Sequence, residues 1–124
     1  MVIGLALVVY TWTLLGAARA RGKSGIKSPA TTGDVTLERA LRVQQNTLEQ
    51  LIVFVPAIVL FAMLVSPLVA PILGAIWLAG RVLYIPMYMR NPDSRGAGFT
   101  IAFLPQMMLV AGAIGGAVIV ILHG

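Results

Sequence analysis

Four apolar runs constrain this chain more than anything else in it. Each is close to the ~20 residues that a helix needs to cross ~30 Å of hydrocarbon. The first covers residues 1–18, the second runs from within 37–51 to 65, the third spans 68–89 and the fourth 99–122. In lipid, every backbone N–H and C=O of such a run must be satisfied within the segment, and a helix does this. Only 10% of the 124 residues are charged, whereas soluble domains carry about a quarter. The expected fold is an all-α integral membrane protein, a four-transmembrane-helix bundle forming one domain over residues 1–124.

The connections set the orientation. The first loop holds Arg19, Arg21, Lys23 and Lys27, and the third holds Arg90 and Arg95; the hinge between spans two and three, "SPLVAP", is uncharged and bounded by Pro67 and Pro71. Basic loops stay on the cytoplasmic side, so loops one and three are expected there and both termini on the other face. Residues 18–20 give a small-residue A-x-A pattern, but the first run has no basic segment before it. It therefore reads as a retained helix rather than a signal peptide. Gly112 and Gly116, with Gly115, form a small-residue face in span four. Two readings stand for it: a close helix contact, or the ordinary abundance of glycine in membrane helices.

The stretch "LERALRVQQNTLEQL", 37–51, is anomalous. It places arginines, glutamates, glutamines and an asparagine directly before the second run. Only residues 51–65 are free of charge between this stretch and the hinge, so a span of ~20 residues must take in Asn46 and Glu49. At ~100° per residue, Glu38, Arg42, Gln45, Asn46 and Glu49 fall within an arc of roughly 100°, with Arg39 at its edge and Gln44 pointing elsewhere. Intramembrane ionisable groups normally face a bundle interior or a wet cavity and mark a functional site. For Glu38 and Arg39, solvation among lipid headgroups is an equal alternative.

The third run repeats the theme. Arg81, Tyr84 and Tyr88 share one helix face, and Pro86 lies between the tyrosines. Paired tyrosines also occur as interfacial belt residues. Arg81 is different, because a cation within a span needs a partner, and Glu49 or Glu38 is the expected one. Pro86 is expected to kink this helix or free a carbonyl. Together the polar groups suit a small zwitterionic or anionic ligand, with arginines for its carboxylates and a glutamate for its amine.

The remaining composition narrows the chemistry. There is no cysteine, so any reactive sulfur must arrive with a substrate. The lone histidine, His123, cannot form a metal site by itself, and no metal is expected. The net charge of +5 is scattered around apolar spans, which points to membrane topology and anionic ligands rather than to nucleic acid.

The spacing E-R-x-x-R-x-x-x-N-x-x-E from Glu38 to Glu49 resembles the signature of the MAPEG family, the membrane-associated proteins in eicosanoid and glutathione metabolism. The pattern R-x-x-Y-x-x-x-Y-x-R with a following N-P-x-x-R-G turn, from Arg81 to Gly96, is similar too. The short loops look like those of the bacterial branch, which implies a bacterial inner membrane. The resemblance implies a homotrimer with glutathione bound as co-substrate between neighbouring subunits near the cytoplasmic side. Carried over by position, Arg42, Gln44, Asn46 and Glu49 would hold glutathione from helix two, with Tyr84, Tyr88 and Arg90 from helix three. Glu38 and Arg81 stand beside them as candidate binding residues. Arg95 would be the catalytic residue, its guanidinium lowering the thiol pKa.

The implied activity is that of a membrane-bound glutathione transferase, possessing or lacking peroxidase activity, that acts on lipophilic electrophiles or lipid hydroperoxides. The alternative is a non-catalytic lipid-binding or scaffold protein of the same fold. A transporter or channel fits poorly, because span four offers only Gln106 as a polar lining residue. The expected partners are other copies of the chain, glutathione, a hydrophobic small molecule and membrane lipids.

Overall fold

The computed structural model describes residues 1–94 and 96–124. Four long helices follow one another: α1 (Val2–Ser24), α2 (Val35–Leu64), α3 (Val69–Arg90) and α4 (Gly96–His123), with a short 3-10 turn at Pro92–Ser94 before the last. Each is long and apolar enough to cross a membrane. The outer surface is hydrocarbon, with Ile52, Met63, Ile72, Leu104 and Ile119 all exposed. An exterior of this kind matches a lipid environment rather than water.

Helix α2 is the axis of the bundle and packs against the other three helices. Its buried residues Leu37, Ala40, Val43, Thr47, Leu51, Phe54, Ile58 and Phe61 recur every three or four positions, which draws one continuous stripe along the helix. The start is fixed by Asp34, whose carboxylate accepts a hydrogen bond from the Leu37 N–H at 2.9 Å. Such a cap satisfies one of the orphan donors of the first turn. At the core, Phe54 stacks on Trp77 with ring centroids 3.9 Å apart. The Trp77 indole N–H donates to Gln106 Oε1 at 2.8 Å. Gln106, the only amide side chain of span four, is thus a core partner and not a pore lining.

The helices reach further into the connections than the apolar runs suggest. Helix α1 continues through Arg19, Arg21 and Lys23 and stops at Gly25, which has φ 73°. A left-handed residue of this kind closes a helix, and glycine adopts it without strain. The basic side chains near this end interact favourably with the helix dipole. Arg21 then folds the loop back by donating to the carbonyl of Ala30 at 2.8 Å. Pro71, expected in the hinge, lies instead in the first turn of α3, where its missing N–H would have had no helical acceptor. Ser66 supplies the cap there, accepting from the N–H groups of Leu68 and Val69.

Gly96 and Gly98 of the third connection belong to α4, and Gly98 to its packing. A Cβ on Gly98 would lie 2.6 Å from the Tyr84 nitrogen, and one on Gly80 would lie 2.4 Å from the Ala102 nitrogen. Helices α3 and α4 therefore meet backbone to backbone, as small residues allow. The Gly112 and Gly116 face is used within the chain, against Phe61 and Leu64 of α2, while Gly115 faces open space.

Candidate functional site

Arg81 lies on α3 with 1% of its surface exposed, and a guanidinium so placed requires acceptors. The structure supplies them from α2. Arg81 Nη1 donates to Asn46 Oδ1 at 2.8 Å, and Nη2 donates to the hydroxyl of Thr47. Its carbon centre sits 4.4 Å over the Tyr84 ring, within cation–π range. The expected partners, Glu49 and Glu38, do not take these bonds. Glu49 and Glu38 are both exposed; Glu49 is turned away from Arg81 around α2, and Glu38 lies about two helical turns from Asn46 along it.

Beside this contact, Arg42, Gln45, Asn46, Glu49 and Tyr84 line one polar cavity of about 220 Å³. Gln45 Nε2 donates to Glu49 Oε1 at 3.4 Å. Tyr84 is buried and stacks against Tyr88, with ring centroids 5.7 Å apart. Depth follows from helix geometry. With the end of α2 at the far boundary, ~30 Å of hydrocarbon at ~1.5 Å per residue reaches back about 20 residues from Leu64, to roughly Gln45. The cavity therefore straddles the level where headgroups give way to hydrocarbon.

Of the sequence-based candidates, Arg42, Asn46, Glu49 and Tyr84 meet at this cavity, with Arg81 directly behind its wall. Tyr88 supports Tyr84 from the side. Gln44, Glu38 and Arg90 do not line it. Gln44 is half-buried on another face of α2, and Glu38 and Arg90 are exposed near the helix ends. Arg95 lies outside the described residues. Arg39, left between two readings by its sequence position, donates to the carbonyls of Met89 and Arg90 at 3.1 and 3.3 Å, and so caps the end of α3.

Two participants escaped sequence reasoning. Thr47 sits on the buried stripe of α2, where it reads as an ordinary core residue; its hydroxyl donates to the Val43 carbonyl at 2.8 Å while accepting from Arg81. Gln45 shares the polar arc but had no separate role. The arc was a usable signal for Gln45, whereas nothing in the spacing marks Thr47.

Chemically, the cavity places a guanidinium, a carboxylate, two amides and a phenol around one small volume. An arginine there can pair with a carboxylate ligand, and Glu49 with an ammonium group. This donor set suits a ligand that carries both a carboxylate and an ammonium group.

Comparison with known proteins gives the same direction. An uncharacterised protein of the cyanobacterium Synechocystis is 46% identical over 114 residues, covering 92% of this chain and 83% of its own length. Human microsomal glutathione S-transferase 2 is 29% identical over 112 residues, covering 90% of this chain and 76% of its own. Mouse microsomal glutathione S-transferase 2 is 33% identical over 93 residues, which is 75% of this chain and 61% of the mouse protein. The model of the MAPEG family matches residues 1–115, and with the four membrane-length helices and the polar face of α2, this chain belongs to the MAPEG family.

Proposed function

We propose that this protein is a membrane-bound glutathione-dependent transferase, with or without peroxidase activity, working on lipophilic electrophiles or lipid hydroperoxides from a homotrimeric assembly. The observation that carries the reading is the cavity on α2 and α3 lined by Arg42, Gln45, Asn46, Glu49 and Tyr84. In this reading Arg42 pairs with a glutathione carboxylate, Glu49 with its ammonium, and Asn46 and Tyr84 hold its peptide groups. Gln44, Glu38, Tyr88 and Arg90 complete the proposed binding set. Glutathione supplies a thiol with pKa near the usual ~8.5, and Arg95 is proposed to lower that pKa so that thiolate exists at neutral pH.

The proposed assembly rests on two physical arguments. At about 220 Å³, the cavity is smaller than the ~300–1,000 Å³ of typical small-molecule sites, so a second surface is needed to enclose a tripeptide. In addition, Arg42, Gln45 and Glu49 are exposed on the outer side of one subunit. Charged side chains at the margin of the hydrocarbon are disfavoured against lipid unless they are paired or covered by protein. A neighbouring copy over this face supplies that cover and closes the cavity. The bacterial inner membrane, with loops one and three cytoplasmic, is the proposed location.

The test is a titration of the detergent-purified protein with glutathione, following thiolate absorbance at neutral pH. The reading expects a saturable signal, weakened roughly 10–100-fold in affinity by Arg42→Ala. It also expects Arg95→Ala to lose thiolate while retaining most binding. Binding without thiolate formation in the wild type would instead favour a lipid-binding scaffold, and absence of binding would remove glutathione from the account.

A further inference from the structure

We propose that Arg81 is a positioning residue that fixes the orientation of the Asn46 amide, so that Asn46 offers its N–H bonds, and not its carbonyl, to the cavity. Arg81 does not line the cavity; Asn46 does. A guanidinium has five donors and no acceptor, so the Asn46 atom facing Arg81 Nη1 at 2.8 Å must be the oxygen. The amide nitrogen then turns to the remaining side. The cavity wall at Asn46 thereby selects a hydrogen-bond acceptor, such as a carboxylate or a peptide carbonyl. A ligand presenting a donor at that point is rejected, because a buried donor–donor encounter leaves both groups unpaired.

The same contact matters to Arg81. Its Nε is buried without a hydrogen-bond acceptor, and the acceptors its other nitrogens meet, Asn46 Oδ1 and Thr47 Oγ1, are both neutral. Thr47 is committed in turn to the Val43 carbonyl, which fixes it in place. Asn46 therefore joins the buried cation to the cavity through a hydrogen bond, beside Tyr84, which also lies against Arg81 and lines the cavity. Putting a carboxylate there should suit Arg81 and harm an acceptor ligand, so stability and binding should move in opposite directions. A merely structural role for Asn46 moves both the same way.

The experiment compares thermal unfolding and glutathione binding of detergent-purified Asn46→Asp, Asn46→Leu, Arg81→Met and Asn46→Asp/Arg81→Met. Only the binding half rests on the glutathione reading. With Arg81 present, Asn46→Asp is expected to keep or raise the Tm, whereas Asn46→Leu, which removes the acceptor, lowers it by roughly 5 °C. In the Arg81→Met background, Asn46→Asp should lower the Tm, because the carboxylate has lost its partner. Glutathione affinity should fall about tenfold or more in Asn46→Asp and also fall in Arg81→Met, where the amide is free to turn. An Asn46→Asp Tm as low as that of Asn46→Leu overturns the contact, and this comparison stands even if Arg81→Met does not fold. Unchanged glutathione affinity in Asn46→Asp overturns the donor orientation. If the wild type binds no glutathione, the functional reading fails separately, and the ligand-free Tm comparison still decides the Arg81–Asn46 contact.

Discussion

The cost of losing a hydrogen-bond partner in the core of this bundle is clearest at Gln106. The Trp77 indole N–H donates to Gln106 Oε1 deep in the core, where both residues are 2% exposed or less. Gln106→Leu leaves that donor buried and unpaired, which costs about 1–3 kcal/mol. A lowered Tm in detergent is the expected result. The double variant Trp77→Phe/Gln106→Leu orphans no polar group, so its remaining loss should reflect the smaller ring at a fully buried position and not an unpaired donor. At the proposed site, Glu49→Gln should weaken glutathione binding by roughly tenfold or more while leaving the Tm nearly unchanged, because Glu49 is exposed in the subunit. Calorimetric titration alongside the melting curve separates the two effects. That Arg81 required a partner was legible in the sequence, because a cation within a span always does. Which residue served was not: Asn46, Glu49 and Glu38 share one arc, and the choice depends on how α2 is rotated and offset against α3.

The helices tell a similar story through their glycines. Gly80 and Gly98 sit where α3 and α4 touch backbone to backbone, and a methyl group at either would meet main-chain atoms that cannot move aside. Gly80→Ala and Gly98→Ala should each destabilise by about 1–3 kcal/mol, read as a loss of Tm or of resistance to denaturing detergent. Gly115→Ala is the matched control. Its added carbon meets nothing within 4 Å, so the helix preference for alanine should leave stability equal or raise it by up to ~1 kcal/mol. In the sequence these glycines looked alike. The G-x-x-x-G spacing of 112 and 116 suggested a contact, but the residues across it, Phe61 and Leu64, are set by the tertiary register. Gly96 and Gly98 read as loop because they precede the fourth apolar run, which begins at 99. Both lie in the first turn of α4, where Gly98 packs on the Tyr84 backbone and a Cβ on Gly96 would meet nothing within 4 Å.

At the scale of the whole molecule, the proposed orientation rests on the basic residues of the first and third loops. The chain has no cysteine, so single-cysteine variants report topology without a background. Ser28→Cys should react with an impermeant thiol reagent applied from the cytoplasmic side of inverted vesicles. Ser66→Cys in the α2–α3 hinge should react from the opposite side; the reverse pattern would overturn the orientation. The proposed trimer is checked by native mass spectrometry from detergent, where the dominant mass should be three times the 13.1 kDa chain. Arg42→Leu together with Glu49→Leu removes the charged outer face of α2 and should shift that distribution if the face lies between subunits.

The number of spans, the helical class and the polar character of one face of α2 can all be read from the amino-acid sequence. These follow from local quantities: run length against membrane thickness, and the turn of a helix per residue. It also carried the spacing that belongs to the MAPEG family. Which polar groups meet is a property of the packed bundle. It gave Arg81 to Asn46 and Thr47 instead of a glutamate, sent Arg39 to cap α3, placed Gln106 against Trp77, and left Gln44 off the cavity. The physical reason is that a partner across a helix interface depends on the rotation and axial offset of two helices. Those are fixed by backbone contacts such as Gly80–Ala102 and Gly98–Tyr84, which no single segment encodes alone.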